Sequence, residues 1–218
     1  MSRAAIYELH PPEPPAEPFA AINNNLVAQG WAVVDDFVSP EWAAQLLEEQ
    51  QLQARQGAFR LAGIGRNHVY QLDSETRSDQ ILWLEQGNSM PAQRQYLDLL
   101  EELRRSVNRD LFLGLYDLET HAAIYPPGSF YSRHLDGFLK GNLRTLTVIL
   151  YLNRNWHSSD GGALRLYLHA NQDSQFLEVL PESGRLVAFF SDIFYHEVLE
   201  TRRKRSSITS WFSRRPQQ

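Results

Sequence analysis

Tyr131-Ser132-Arg133-His134-Leu135-Asp136 places an imidazole and a carboxylate two residues apart. On a strand, positions i and i+2 face the same way, so both side chains can reach one metal ion. A third ligand must come from elsewhere, and His196 offers one. It follows the apolar run Leu186-Val187-Ala188-Phe189-Phe190, within Phe194-Tyr195-His196-Glu197-Val198. Two histidines and one carboxylate, with open positions opposite them, make the facial triad of non-haem Fe(II) oxygenases. A His-x-Asp pair alone arises often by chance, and an ordinary surface or core histidine is the reading it has to beat.

A guanidinium adds to the pattern. Nine residues beyond His196, Arg205 opens Arg205-Ser206-Ser207-Ile208-Thr209-Ser210-Trp211-Phe212, which reads as a strand. Placed antiparallel to the strand carrying His196, it would hold Arg205 deep in a barrel, near the metal. A buried guanidinium fork suits bidentate pairing with a carboxylate. Arg202, Arg203 and Lys204 read instead as a solvated basic turn. His10, His68, His121, His157 and His169 have no partner at ligand spacing and read as structural.

The composition limits what else could hold a metal. The 218 residues include no cysteine, which excludes disulfide scaffolds, Cys-ligated zinc, iron–sulfur clusters and thiol nucleophiles. Seven histidines and the carboxylates are the ligands left. Lys+Arg 21 against Asp+Glu 26 gives a net charge of −5, so general nucleic-acid binding is not expected. The apolar fraction of 43% is that of a globular chain with a proper core. No run approaches the ~18 apolar residues of a membrane span. No secretory signal is visible at the N-terminus. A cytoplasmic protein without a membrane partner is the expectation.

The elements that must position these groups follow from periodicity. Residues 1–20, with five prolines, read as an extended N-terminal arm, and 21–218 as one domain. A short helix is expected over Ala20–Gln29, stopped by Gly30, then a strand over Trp31–Asp35. Ser39-Pro40-Glu41 is a helix start that runs to about Gln56. Residues 57–88 read as a loop with short strands, and 57–80 as a finger closing over substrate. Pro91 opens a helix with Leu97, Leu100, Leu103 and Val107 at helical spacing. Apolar runs then follow at Leu111–Ile124, Leu143–Leu152, Ala163–His169, Phe176–Val179, Arg185–Phe190 and Ser207–Phe212. Such closely spaced runs predict a β-sandwich or barrel. Helices first and strands later make the class α+β.

Together, His134-Leu135-Asp136, His196 and Arg205 resemble the HxD…H…R pattern of the 2-oxoglutarate and Fe(II)-dependent dioxygenases. The match sharpens towards the prolyl 4-hydroxylases, particularly the hypoxia-inducible-factor type. Tyr125-Pro126 ahead of Tyr131 looks like that family's tyrosine-rich approach to the metal. Arg144-Thr145-Leu146-Thr147-Val148-Ile149-Leu150-Tyr151-Leu152-Asn153, followed by Trp156 and Gly161-Gly162, is similar too. So are His196-Glu197-Val198 and Ile208-Thr209-Ser210-Trp211 in the closing strands. Upstream, Arg77-Ser78-Asp79-Gln80-Ile81-Leu82-Trp83 resembles the segment after the family's mobile finger. The resemblance covers roughly residues 25–213.

It implies a double-stranded β-helix, or jelly roll, supported by N-terminal helices. It also implies Fe(II) on His134, Asp136 and His196, with 2-oxoglutarate and O2 as cosubstrates and ascorbate as a supporting reductant. Arg205 would pair with the distal carboxylate of 2-oxoglutarate, with Tyr151 donating to it, Tyr125 lining the pocket and Thr209 close by. Arg77, Asp79 and Arg144 match positions that engage the peptide substrate, against the plainer reading of a surface charge cluster. Tyr131 and Trp211 would line the same side, although Trp211 also reads as core. Related halogenases replace the carboxylate of Asp136 with a small residue, so its presence favours hydroxylation. The implied reaction is hydroxylation of a proline at C4 in a protein substrate. A bacterial member of the type acts on elongation factor Tu, which the resemblance carries over as a partner. A ribosomal-protein or small-molecule hydroxylase, or a catalytically silent jelly-roll module that retains a metal, are the alternatives.

Overall fold

The computed structural model describes residues 17–63, 73, 75–137, 144–169 and 174–215. In chain order the elements are α1 (Glu17–Gln29), β1 (Trp31–Val34), α2 (Pro40–Arg55), β2 (Arg60–Leu61), β3 (Gln80–Trp83) and α3 (Pro91–Leu111). There follow β4 (Leu115–Tyr125), β5 (Tyr131–His134), β6 (Arg144–Tyr151), β7 (Leu164–Tyr167), β8 (Phe176–Val179), β9 (Leu186–Phe190), β10 (His196–Val198) and β11 (Arg205–Arg214).

The strands form two antiparallel sheets, ordered β1-β9-β6-β11-β4-β3-β2 and β5-β10-β7-β8. From β4 onward the chain supplies four strands to each, which is the expected jelly-roll core. β1, β2 and β3 only widen the larger sheet.

Alternation along the larger sheet decides what faces the site. In β6, Leu146, Val148 and Leu150 join the cluster packed under the helices, whereas Ile149 and Tyr151 face the smaller sheet. In β11, Ile208 and Phe212 take the helix side, leaving Arg205, Ser207, Thr209 and Trp211 on the other parity. Both faces of β6 are buried, which is why its sequence reads as an unbroken apolar run rather than an alternating one.

The helices cover the larger sheet because each presents one apolar face. α2 begins as the sequence predicts: the Ser39 hydroxyl accepts from the Trp42 amide at 3.2 Å and Pro40 takes the first helical position. α3 is capped from its neighbour, since the Glu49 carboxylate accepts from the Ala92 and Gln93 amides at 2.8 and 3.0 Å. Tyr96, Leu97, Leu100, Leu103 and Val107 form its buried stripe. Leu100→Ala, at a site with no exposure, should therefore cost roughly 2–5 kcal/mol of unfolding free energy in a denaturant titration.

Several boundaries differ from expectation for local reasons. α1 starts at Glu17 rather than Ala20, because Pro18 is tolerated in a first helical turn. The apolar run at Leu111 continues α3. The helix ends at Phe112 in the left-handed region (φ 54), and β4 starts only after Gly114 (φ 66). Leu143, His10, His68 and the 64–72 portion of the finger lie outside the described residues. No described helix is long and apolar enough to cross a membrane.

Candidate active site

β5 and β10 bring the two predicted histidines together, because His134 and His196 are direct cross-strand partners. Their rings stand 4.2 Å apart between centroids. Asp136 does not share the strand with His134 as the spacing suggests. β5 ends at His134 and Asp136 sits in the turn that follows. The turn still delivers it: Asp136 Oδ1 lies 3.6 Å from His134 Nε2, and Oδ2 lies 3.5 Å from His196 Nε2. One ligand atom from each of the three residues falls within 4.8 Å of the others.

The hydrogen bonds behind the triad set the form of each ligand. His134 Nδ1 lies 2.7 Å from the Ser132 carbonyl and His196 Nδ1 3.2 Å from the Phe194 carbonyl. A carbonyl can only accept, so Nδ1 carries the proton and Nε2 keeps a bare lone pair for a metal. Burial, then the adjacent His134, pushes His196 down to about 4, so this ring is neutral at pH 7. Burial alone would raise the Asp136 carboxyl; His196 foremost, with His134, outweighs it and holds the group well below the usual carboxylate range. The Thr147 hydroxyl donates to Asp136 Oδ2 at 2.8 Å and meets the Ser191 hydroxyl at 2.8 Å on its other side. This support is not visible in the sequence, where Thr147 is one polar residue in an apolar strand.

Arg205 is placed differently from expectation. Its strand does not pair with the one carrying His196. β11 lies between β4 and β6 in the larger sheet, and β10 belongs to the smaller one. The strands face each other across the interior, so Arg205 still points inward and is 1% exposed. Its Nε donates to the Gly162 carbonyl at 2.9 Å, and Nη1 to the Ser207 hydroxyl at 3.3 Å. The rings of Tyr125 and Tyr151 flank it at 4.8 and 5.0 Å. Among the described residues no carboxylate stands within ion-pair distance of it, and the buried Tyr151 hydroxyl has no hydrogen-bond partner. Burial, opposed by the Arg205 charge, pushes that phenol up to about 12, so it stays a donor. Unpaired buried groups of this kind are costly unless a ligand completes them.

Gly161-Gly162 permits this arrangement. Gly162 has φ +66, and a Cβ there would sit 3.0 Å from Thr201 and 3.2 Å from Arg205 Cδ. At Gly161 it would overlap the Glu200 carbonyl oxygen. Asn153 fastens the end of β6 to β11, donating to the Pro181 and Ser206 carbonyls and accepting from the Ser206 amide.

The predicted substrate residues form two groups. Arg77 clamps Asp79 through two bonds of 2.8 and 2.7 Å, and Asp79 is wholly buried. Any contact of Asp79 with substrate would therefore run through Arg77. The Arg77 guanidinium lies 4.3 Å above the Tyr131 ring, which stacks on His134 at 3.7 Å and 16°. This column makes Arg77 and Tyr131 a support for a candidate metal ligand as much as a surface for substrate. Arg144 pairs with Glu119 at 3.0 Å and lies 3.7 Å over Trp211. Trp211 lies on the inward parity of β11, and its buried indole N–H has no hydrogen-bond partner among the described residues. Thr209 lies two residues before Trp211 and four after Arg205 on β11, opposite His121 of β4 and Ile149 of β6. Arg202, Arg203 and Lys204 are the exposed turn the sequence predicts.

The donor set fits Fe(II), and the unpaired Arg205 and Tyr151 fit a dicarboxylate cosubstrate. Comparison with known proteins agrees. Residues 120–213 match the 2OG-Fe(II) oxygenase superfamily. The chain is 31% identical to human Egl nine homolog 1 over 192 residues, covering 84% of this chain and 43% of that protein. It thus spans less than half the length of that relative. A Pseudomonas putida prolyl-4-hydroxylase superposes with a TM-score of 0.81 at 38% identity, over 91% of this chain and 100% of that one. A Trichoplax adhaerens prolyl hydroxylase, solved with a peptide of the hypoxia-inducible-factor oxygen degradation domain, gives 0.80 at 27% identity, over 89% and 88%.

Proposed function

We infer the activity from membership: the chain belongs to the 2OG-Fe(II) oxygenase superfamily, and the reading its site supports best is protein prolyl 4-hydroxylation. The observation that carries it is the convergence of the His134, Asp136 and His196 ligand atoms in a jelly roll whose interior also buries Arg205, with no carboxylate at ion-pair distance among the described residues. This reading treats 21–218 as one dioxygenase domain, since β1–β3 complete the sheet built by the strands within 120–213.

In this reading His134, Asp136 and His196 bind Fe(II) through two neutral Nε2 atoms and one carboxylate. Fe(II) with 2-oxoglutarate supplies the oxidising chemistry that puts one atom of O2 into the substrate and the other into succinate, with loss of CO2. Arg205 binds the distal carboxylate of 2-oxoglutarate through its fork, and Tyr151 donates a further hydrogen bond. Tyr125 stacks on that guanidinium, whereas Thr209, four residues along β11, lies away from the distal carboxylate and not at it as expected. Thr147 and Ser191 hold Asp136 in the rotamer that meets both imidazoles. Trp211, Arg144 and the Arg77–Tyr131 column face the substrate side. Burial of Asp136, His196, Arg205, Tyr125 and Tyr151 limits water at the reacting centre.

The substrate in this reading is a proline in a cytoplasmic protein, and elongation factor Tu is the first candidate. Mass spectrometry of cellular proteins with and without the enzyme should find a proline about 16 Da heavier, one added oxygen atom. The gain should disappear when 2-oxoglutarate or Fe(II) is withheld. A proteome with no proline that changes in this way would overturn the assignment; an unmodified elongation factor Tu would remove only that candidate.

A further inference from the structure

His121 is a residue to which neither its spacing nor the chemistry above gives a task. It lies on the inward parity of β4 with Ala123 and Tyr125, and is 3% exposed. Its Nδ1 is buried with no hydrogen-bond partner among the described residues. The ring packs edge-on against Trp211 at 5.0 Å and against Trp83 at 5.2 Å. Trp83 is itself 44% exposed and lies 6.3 Å from Trp211, so the three rings form one cluster that reaches the surface through Trp83. Arg144, paired with Glu119, lies on the Trp211 ring.

Leaning on the prolyl hydroxylase reading, we propose that His121 contacts the substrate, hydrogen-bonding the polypeptide beside its target proline and helping to set which flanking residues are accepted. A phenylalanine would pack between two indoles as well as an imidazole does, without an unpaired nitrogen to bury. Leaving such an atom unsatisfied is costly, so a partner from outside the chain is the economical explanation. That partner is not the distal carboxylate of the cosubstrate. The β4–β11 register puts Tyr125 opposite Arg205 but His121 opposite Thr209, four residues along the strand. At strand rise that is about 13 Å from the guanidinium end. Burial, then the charges of Arg77 and Arg144, keeps the imidazole well below its ordinary pKa and hence neutral. A neutral ring offers one donor and one acceptor, the pair that a peptide group presents in reverse. Trp83 and Trp211 on either side suit apolar side chains next to the proline.

The probe is a library of twelve-residue peptides with a central proline and randomised flanks, scored by mass gain after reaction with the Fe(II)-loaded full chain. His121→Phe should raise KM for the selected peptides about five- to tenfold, the worth of one neutral hydrogen bond. It should also flatten the preference at the positions flanking proline, with KM for 2-oxoglutarate unmoved. His121→Gln, which keeps a donor and an acceptor, should recover part of the loss. A melting curve for each variant separates misfolding from lost contact. Unchanged KM and flank preference in a folded His121→Phe would return His121 to the packed core. A wild-type enzyme that hydroxylates no peptide, yet makes succinate, would overturn the prolyl reading itself.

Discussion

Asp136→Ala should abolish Fe(II)-dependent succinate formation, with metal affinity falling about 100-fold or more. The estimate is a floor, because loss of a partner behind a metal ligand already costs about 10–100-fold, and Asp136 is the only anion of the triad. Its carboxylate faces both imidazoles, at 3.6 and 3.5 Å. Without it two neutral rings are left to hold a dication in a buried site. His134→Ala should do the same through loss of a neutral donor, and with it the stack on Tyr131. Thr147→Val is the informative contrast. It leaves all three ligands and removes the 2.8 Å bond that orients Asp136, together with the Thr147–Ser191 bond behind it, so about a tenfold weakening is expected. Titration calorimetry with Mn(II), which does not oxidise during the measurement, would report each affinity. Asp136→Ala that bound the metal as tightly as the wild type would sink the triad assignment.

How much of this was legible in the sequence depended on how local the signal was. Ser39-Pro40 marks a helix start because capping is settled within one turn, and the structure keeps that start. The β6 run is legible as a buried strand because both its faces are covered. The site is a harder case. The spacing of His134 and Asp136 suggests one strand, but the strand stops at His134 and a turn carries Asp136. The order of His196 and Arg205 likewise suggests two paired strands, whereas these strands lie in opposite sheets. In both cases the fold places the residues in its interior by a geometry other than the expected one, since residue type and order constrain which groups meet but not which hydrogen-bond ladder delivers them. Thr147 and Ser191 leave no local trace, and His121 almost none. Their roles rest on contacts to residues 11 to 90 positions away or on the register of β4, and only the pairing of strands creates those. The one signal available for His121 was its type: a titratable ring inside an apolar β run is an exception worth following.

Arg205→Ala should raise the 2-oxoglutarate requirement by about 100-fold, some 3 kcal/mol, which is the scale for removing one partner of a buried charge pair. Arg205→Lys should fall between the two, because an ammonium keeps the charge but cannot present two parallel donors. The same residue predicts an effect of opposite sign in the protein without cosubstrate. Arg205 is a cation with 1% exposure and no carboxylate within reach among the described residues, held only by the Gly162 carbonyl, the Ser207 hydroxyl and two aromatic faces. A charge buried so incompletely compensated is a burden on the fold. Shortening it should therefore leave the melting temperature of the protein without 2-oxoglutarate unchanged or higher. Adding 2-oxoglutarate at 100 times its dissociation constant should stabilise the wild type by about 2.7 kcal/mol, and at that concentration the variant by a small fraction of it. The two melting curves should cross: alanine at least as stable without 2-oxoglutarate, arginine more stable with it. A purely structural Arg205 would produce the reverse, a variant destabilised under both conditions with its dependence on 2-oxoglutarate intact.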